Sequence, residues 1–241
     1  MDCEAFMPKA SPLICIPDER PARWALLFKL IAGWYRPVSQ GDGYENDVLD
    51  RCQNQNGIIL PLAMREWYTT TGRMDDIWCC QDLLVEPEKL RFEAGILTFY
   101  RENQCVTSWG IRQDELLLED PPVVVRDEND EWVVQSLRLS EFVLHMFVYV
   151  IQFGNHPAQI HGYAHPACVQ RLKTLPKLGF PQFIWTRSTL FGFEDLVVAI
   201  DGTDHVSASA RSVEAMGLFR ELLTQEDFDI ISENVLDADS D

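Results

Sequence analysis

Positive charge is scarce in this sequence. Asp and Glu number 38 against 20 Lys and Arg, for a net charge of −18. A nucleic-acid binder needs cations to displace counterions from phosphates, and no basic run supplies them. An anionic membrane surface would repel the chain too. Such a field attracts basic partners and speeds their encounter, or it simply keeps the chain in solution.

Long apolar runs are also lacking. The longest, 142–153, is interrupted by His145 and Gln152 and falls well short of the ~20 residues that span a bilayer. The opening MDCEAFMPKASPLICIP has no basic start and no sustained apolar core, so it does not read as a secretory signal. There is no Asn-x-Ser/Thr acceptor and no Cys-x-x-Cys pair, and the seven cysteines are irregularly spaced. A reducing cytoplasm is the expected location. Motifs are equally sparse. The chain has no G-x-S-x-G elbow, no Walker loop, no G-x-G-x-x-G and no H-E-x-x-H. No phosphate cradle can be argued from it, and no cofactor is expected.

What is present suits a folded chain: 46% of residues are hydrophobic and 24% charged. A chain of 241 residues buries about 70% of its unfolded surface and needs no staples. Residues 1–21 carry prolines without a period and read as an irregular arm. Helical spacing of Leu27, Leu30, Ile31 and Trp34 predicts a helix over 24–35. A short helix is expected from Val48, stopping near Asn56 and Gly57. Another starts at Pro61, with Gly72 as a left-handed stop.

Strands come next. Residues 96–101 and 105–111 read as a hairpin around Glu102, Asn103 and Gln104, and 123–126 with 132–135 as a second. Ser140 is the expected N-cap of an apolar helix that packs across the sheet. Residues 154–182 read as a loop-rich insertion. Asp201-Gly202 marks a further hairpin, and an amphipathic helix follows over 212–223. From Glu226 onward there are seven acids and no base, which reads as a mobile tail. The expected class is α+β: one domain over 22–225, with about six mostly antiparallel strands against several helices.

Four side chains in HPAQIHGYAHPAC are of zinc-ligand type: His156, His161, His165 and Cys168. They match no closed zinc signature, and Gly162 and Pro166 oppose a regular helix there. They stand as metal candidates only, and a metal-dependent enzyme built on them is one alternative. Cys79 and Cys80 would need a base beside them to act as nucleophiles. Trp109 reads either as a core residue or as an exposed aromatic anchor. Arg101, Glu102, Asn103 and Gln104 put an acid, a base and two amides at one tip. The amides either satisfy backbone groups of the turn or hydrogen-bond a partner.

LPLAMREWYTTTGR, EPEKLRFEAGILTFYRENQCVTSWGI and the run from DPPVVV to SEFVLHMFVYV together resemble the SUKH superfamily. The likeness is to its bacterial branch related to the fungal cell-wall-assembly regulator domain. It covers 57–153 and is thinner over 185–225. The carrying features are Leu60-Pro61, Gly72, the Glu102-Asn103-Gln104 turn, Trp109-Gly110, Asp120-Pro121-Pro122-Val123 and Ser140-Glu141-Phe142. The resemblance implies a curved antiparallel sheet and a non-enzymatic role. Many bacterial members are immunity proteins that bind and neutralise a toxin, whereas fungal members act as regulatory binding modules. An immunity protein for a basic toxin domain is therefore the expectation, with an intracellular adaptor as the alternative. The partner-binding candidates are Arg101, Glu102, Asn103, Gln104, Trp109 and Asp120.

Overall fold

The computed structural model describes residues 8–154, 156–224 and 226–235. The α+β class holds, but the strands divide between two antiparallel sheets. The chain forms two compact units, one made of 17–154 and the other of 1–16 with 155–241.

In the unit 17–154 four helices precede the sheet: α1 (Arg20–Trp34), α2 (Asn46–Asn56), α3 (Leu62–Thr71) and α4 (Asp75–Trp78). Gly57 ends α2 in the left-handed conformation, as its position suggested. Gly72 does not end α3 that way; its φ is −61°. It is needed for closeness instead, since a Cβ there would lie 2.7 Å from the Tyr68 carbonyl oxygen. The strands are β1 (Leu83–Leu84), β2 (Arg91–Glu93), β3 (Ile96–Arg101), β4 (Ser108–Arg112), β5 (Val123–Arg126) and β6 (Trp132–Ser136). They pair in the order β1-β3-β4-β5-β6, with β2 also on β3.

Helix α5 (Leu139–Val150) then lies in the core, with every residue buried except Glu141. It packs against α1, α3, α4 and β6. Its Phe142 ring meets Phe99, Tyr100 and Trp109, and its Phe147 meets Trp78. Trp67 contacts Trp78 edge-on at 5.2 Å and also meets Phe99 and Tyr100. Ring pairs at these separations add about 0.5–1.5 kcal/mol each beyond their buried area. The aromatic content is thus largely invested in this core.

Ser140 is not the N-cap of α5. Arg138 holds that position without a side-chain bond. The Asp120 carboxylate, far away in sequence, accepts from Ser140 N–H at 2.8 Å and from its hydroxyl at 2.6 Å. The free donor at the helix start is met across the fold rather than locally.

The other unit holds β7 (Ala158–Ala164), α6 (Pro166–Leu172), β8 (Thr189–Phe193), β9 (Leu196–Asp201), β10 (His205–Ala210), α7 (Val213–Arg220) and β11 (Phe228–Val235). The sheet order is β11-β7-β10-β9-β8. Alternation sends Ala158, Ile160 and Ala164 of β7 into a core with Val206, Ala208 and Ala210 of β10. Cys168 and Leu172 of α6 and Met216 and Phe219 of α7 close that core. Ser212 caps α7 by accepting from Ala215 N–H at 3.2 Å. Two expectations are corrected here. The stretch read as an insertion supplies β7, a strand paired on both sides. The stretch read as a mobile tail supplies β11, while 236–241 lie outside the described residues, as do 1–7 of the N-terminal arm.

Candidate functional site

The β3–β4 tip is built by one acid. Glu102's carboxylate accepts from Gln104 N–H at 2.8 Å and from Val106 N–H at 3.3 Å. Its backbone carbonyl accepts from Cys105 N–H at 2.8 Å, and Cys105 takes a φ of +62° to close the turn. Thr107 anchors the far side by donating to the Arg126 carbonyl. The backbone donors are therefore met by Glu102 and not by the amide side chains. Asn103, Gln104 and Val106 are left exposed to solvent. At the base, Arg101 pairs with Glu93 at 2.5 Å. Leu83 of β1 lies opposite Arg101 and is 43% exposed. A groove of about 250 Å³ beside it is lined by Leu83, Leu84, Arg91 and Arg101.

Asp82, which no motif singles out, lies buried beside this tip. It is 3% exposed and lies close to the Asn103 N–H. Burial first, and the nearby Glu102 charge second, push its carboxyl up to about 7. The Asn103 N–H works against that rise.

Two of the six partner-binding candidates do not belong to this surface. Trp109 is 2% exposed and packs into the core edge-on to Tyr100 and tilted against Phe142. It is not an exposed anchor, because alternation along β4 points it at α5. Asp120 is a structural group. It pairs at 2.8 Å with Arg23, itself 2% exposed, while holding the start of α5. Arg23 also donates to Ser140 Oγ at 2.7 Å and to the carbonyls of Pro17 and Asp18 at 2.8 and 2.7 Å. Arg101, Glu102, Asn103 and Gln104 do sit together.

The zinc-type residues do not converge. Cys168 is in the core of its unit, beside Ile160. His161 is on the opposite face of β7, with Nδ1 2.9 Å from Ser207 Oγ. His165 precedes α6, 3.7 Å from Asp229 and exposed. His156 is buried ahead of β7. Among the described residues no three His, Cys, Asp or Glu side chains are grouped to hold a metal ion.

His161 does have a titratable neighbour in His205. The His205 ring lies 3.3 Å from Asp201, whose hydrogen bond raises its pKa. Burial lowers that of His161, and the nearness of His205 adds to the effect. The Asp–His and His–Ser pairs use different imidazoles, and Ser207 is 2% exposed. They therefore do not line up as a relay to an accessible nucleophile. Cys79 Sγ is 3.8 Å from Asp75; burial and that carboxylate raise the thiol pKa, the reverse of what a nucleophile needs.

Comparison of the chain with protein-family models, with curated proteins and with solved structures finds no match.

Proposed function

We propose that this chain is a non-enzymatic protein-binding domain: a cytoplasmic immunity protein that binds and neutralises a basic toxin domain. The observation that carries this reading is the β3–β4 tip. Its backbone is fixed by Glu102, while Asn103, Gln104 and Val106 face solvent. A loop already ordered loses less entropy on docking than a floppy one. The tip also joins amides, an apolar side chain and the paired charges of Arg101 and Glu93, a mixture suited to a protein surface. The net charge of −18 supplies a field that draws in a basic partner. The likeness of 57–153 to the SUKH superfamily supplies the biological class.

The test is a pull-down from native lysate and from cells carrying the neighbouring genes, loaded at low salt and washed at high salt. A single basic, toxin-like protein that binds at low salt and loosens at about 0.5 M salt is the expected result. Glu102→Ala frees the tip and should weaken capture. Salt-insensitive capture would remove the electrostatic part. Recovery of endogenous kinases or cell-wall enzymes would replace immunity with an adaptor role.

A further inference from the structure

The two edges of the sheet in the 1–16/155–241 unit are treated differently. On the β8 edge, Lys177 bridges to Phe191. Leu178 N–H donates to the Leu190 carbonyl at 2.9 Å, and Gly192 N–H to the Pro176 carbonyl at 2.9 Å. That edge is covered. On the β11 edge no described segment pairs with the outer side. Proteins normally blunt such an edge with lysine, proline or a very short strand. β11 runs for eight residues without lysine or proline, although it carries one bulge between Ile230 and Ser232.

Its exposed side chains are unusual for a bare edge. Ile230 and Ile231 are adjacent and are 52% and 59% exposed. Ile230 pairs with Gly162, where any Cβ would strike the backbone of Asp229 and the Phe228 ring. The glycine lets β11 close onto β7. An open groove of about 770 Å³ runs along this strand, lined by Ile160, Leu223, Phe228 and Ile230. The Arg220–Glu233 ion pair marks its far end.

The charge around the edge is mainly negative. From Glu221 through Val235 there are five acids and no Lys or Arg. Arg171 neutralises Asp227 at 2.5 Å and Arg220 neutralises Glu233. Asp229 has the exposed His165 3.7 Å away and, among the described residues, no arginine or lysine ion pair. A second copy of this chain would bring its own acids against these, and like charges facing across strands are destabilising. A cationic strand would be complementary.

We propose that β11 is a docking edge for an extended, basic segment of a partner protein. The segment adds to the sheet as a further strand, sets an apolar side chain in the Ile160–Leu223–Phe228–Ile230 groove and places cationic ones by Glu226 and Asp229. Main-chain bonds supply affinity in such strand addition, and the alternate side chains supply specificity. This rests on the reading that the partner is a basic protein, and adds a second contact besides the β3–β4 tip.

The probe is a fluorescent octapeptide of alternating lysine and valine, titrated into the full chain at low salt. A lysine–proline octapeptide has the same charge but lacks half the strand donors. The first is expected to bind at least about tenfold tighter than the second, and Ile230→Lys to weaken it about tenfold. Hydrogen exchange should slow at the β11 amides on binding. Equal binding of the two peptides, or protection away from β11, overturns the proposal. So does a peptide-free dimer that protects β11. If a protein captured in the pull-down ignores Ile230→Lys, the docking edge is wrong while the protein-binding reading stands. If no protein is captured but the peptide binds as expected, the edge stands and the toxin partner falls.

Discussion

At the scale of single residues, charges placed inside this chain set its stability. Arg23 is buried and its guanidinium is held by Asp120, by Ser140 and by two carbonyls. Asp120→Ala would leave that cation without its counter-ion, a change that costs about 3–5 kcal/mol at buried sites. The urea midpoint should fall accordingly; a midpoint unchanged from the parent would show that the pair holds nothing. Asp82 and His145 act on pH dependence in opposite senses. Asp82's folded pKa, about 7, lies above its ordinary 3.8, so its favourable contribution is complete below about 4 and lost as pH rises to 7. His145, buried in α5, is lowered from 6.5 to about 3, so its contribution is complete above 6.5 and lost as pH falls toward 3. Each change uncovers the other. Asp82→Asn should be more stable than the parent at about pH 8 and lose stability more steeply on acidification. His145→Met should instead grow more stable between about pH 7 and 4. Urea midpoints across that range check both, and curves parallel to the parent would refute the assignment. Residue type was legible for Trp109 and Asp120, but exposure was not. An Asp next to a Pro-Pro turn reads the same whether it faces solvent or an arginine 97 positions away.

At the scale of elements, the sequence exposed whatever had local chemistry. The hairpin over Val123–Arg126 and Trp132–Ser136 turns where acids cluster, and Asp127 accepts from Asn129 and Glu131 N–H at 2.9 Å. Glu102 does the same job in the β3–β4 turn, so the two hairpins share a device: an acid at the loop start that satisfies the loop's own donors. The Asp201-Gly202 turn was equally legible, with Gly202 at φ +60°. The strands missed were β7 and β11. In β7 the inward positions are Ala158, Ile160, Gly162 and Ala164, which are too small to give a strong apolar alternation. In β11 the alternation of Phe228 and Ile230 is masked by acids and broken by the bulge. Both strands are formed by long-range pairing. Gly110 shows how tightly such pairing can be drawn in the other sheet. A Cβ there would lie 2.8 Å from the Leu97 carbonyl oxygen and strike the Ile96 side chain. Gly110→Ala should force β3 and β4 apart and cost about 1–3 kcal/mol, as overpacking usually does. Thermal unfolding measures this; an unchanged midpoint would mean that the strands yield freely.

At the scale of the whole molecule, the chain crosses between its units twice. Residues up to 16 contribute to one unit, 17–154 form the other without interruption, and the chain then returns to complete the first. The early segment is an integral part there. Leu13 is 2% exposed and its carbonyl accepts from Gly179 N–H at 2.7 Å, while Lys9 accepts from Glu194 N–H at 3.0 Å. The two units should therefore respond differently to cutting. The fragment 17–154 contains its own sheet, its central helix α5 and its cluster of mostly edge-on aromatics, and it is of ordinary domain size. It should fold alone. The fragment 155–241 lacks the segment that bonds to Gly179 and Glu194, and should need 1–16 supplied in trans to fold. Tryptophan makes the first half of this easy to read. Of the seven tryptophans, only Trp185 lies outside 17–154. Near-ultraviolet circular dichroism of the fragment should therefore keep nearly all of the full chain's aromatic signal and lose it cooperatively in urea. A fragment with strand and helix content but no aromatic signal would mean that 17–154 is not a folding unit, and the β3–β4 tip would then have to be studied only in the intact chain.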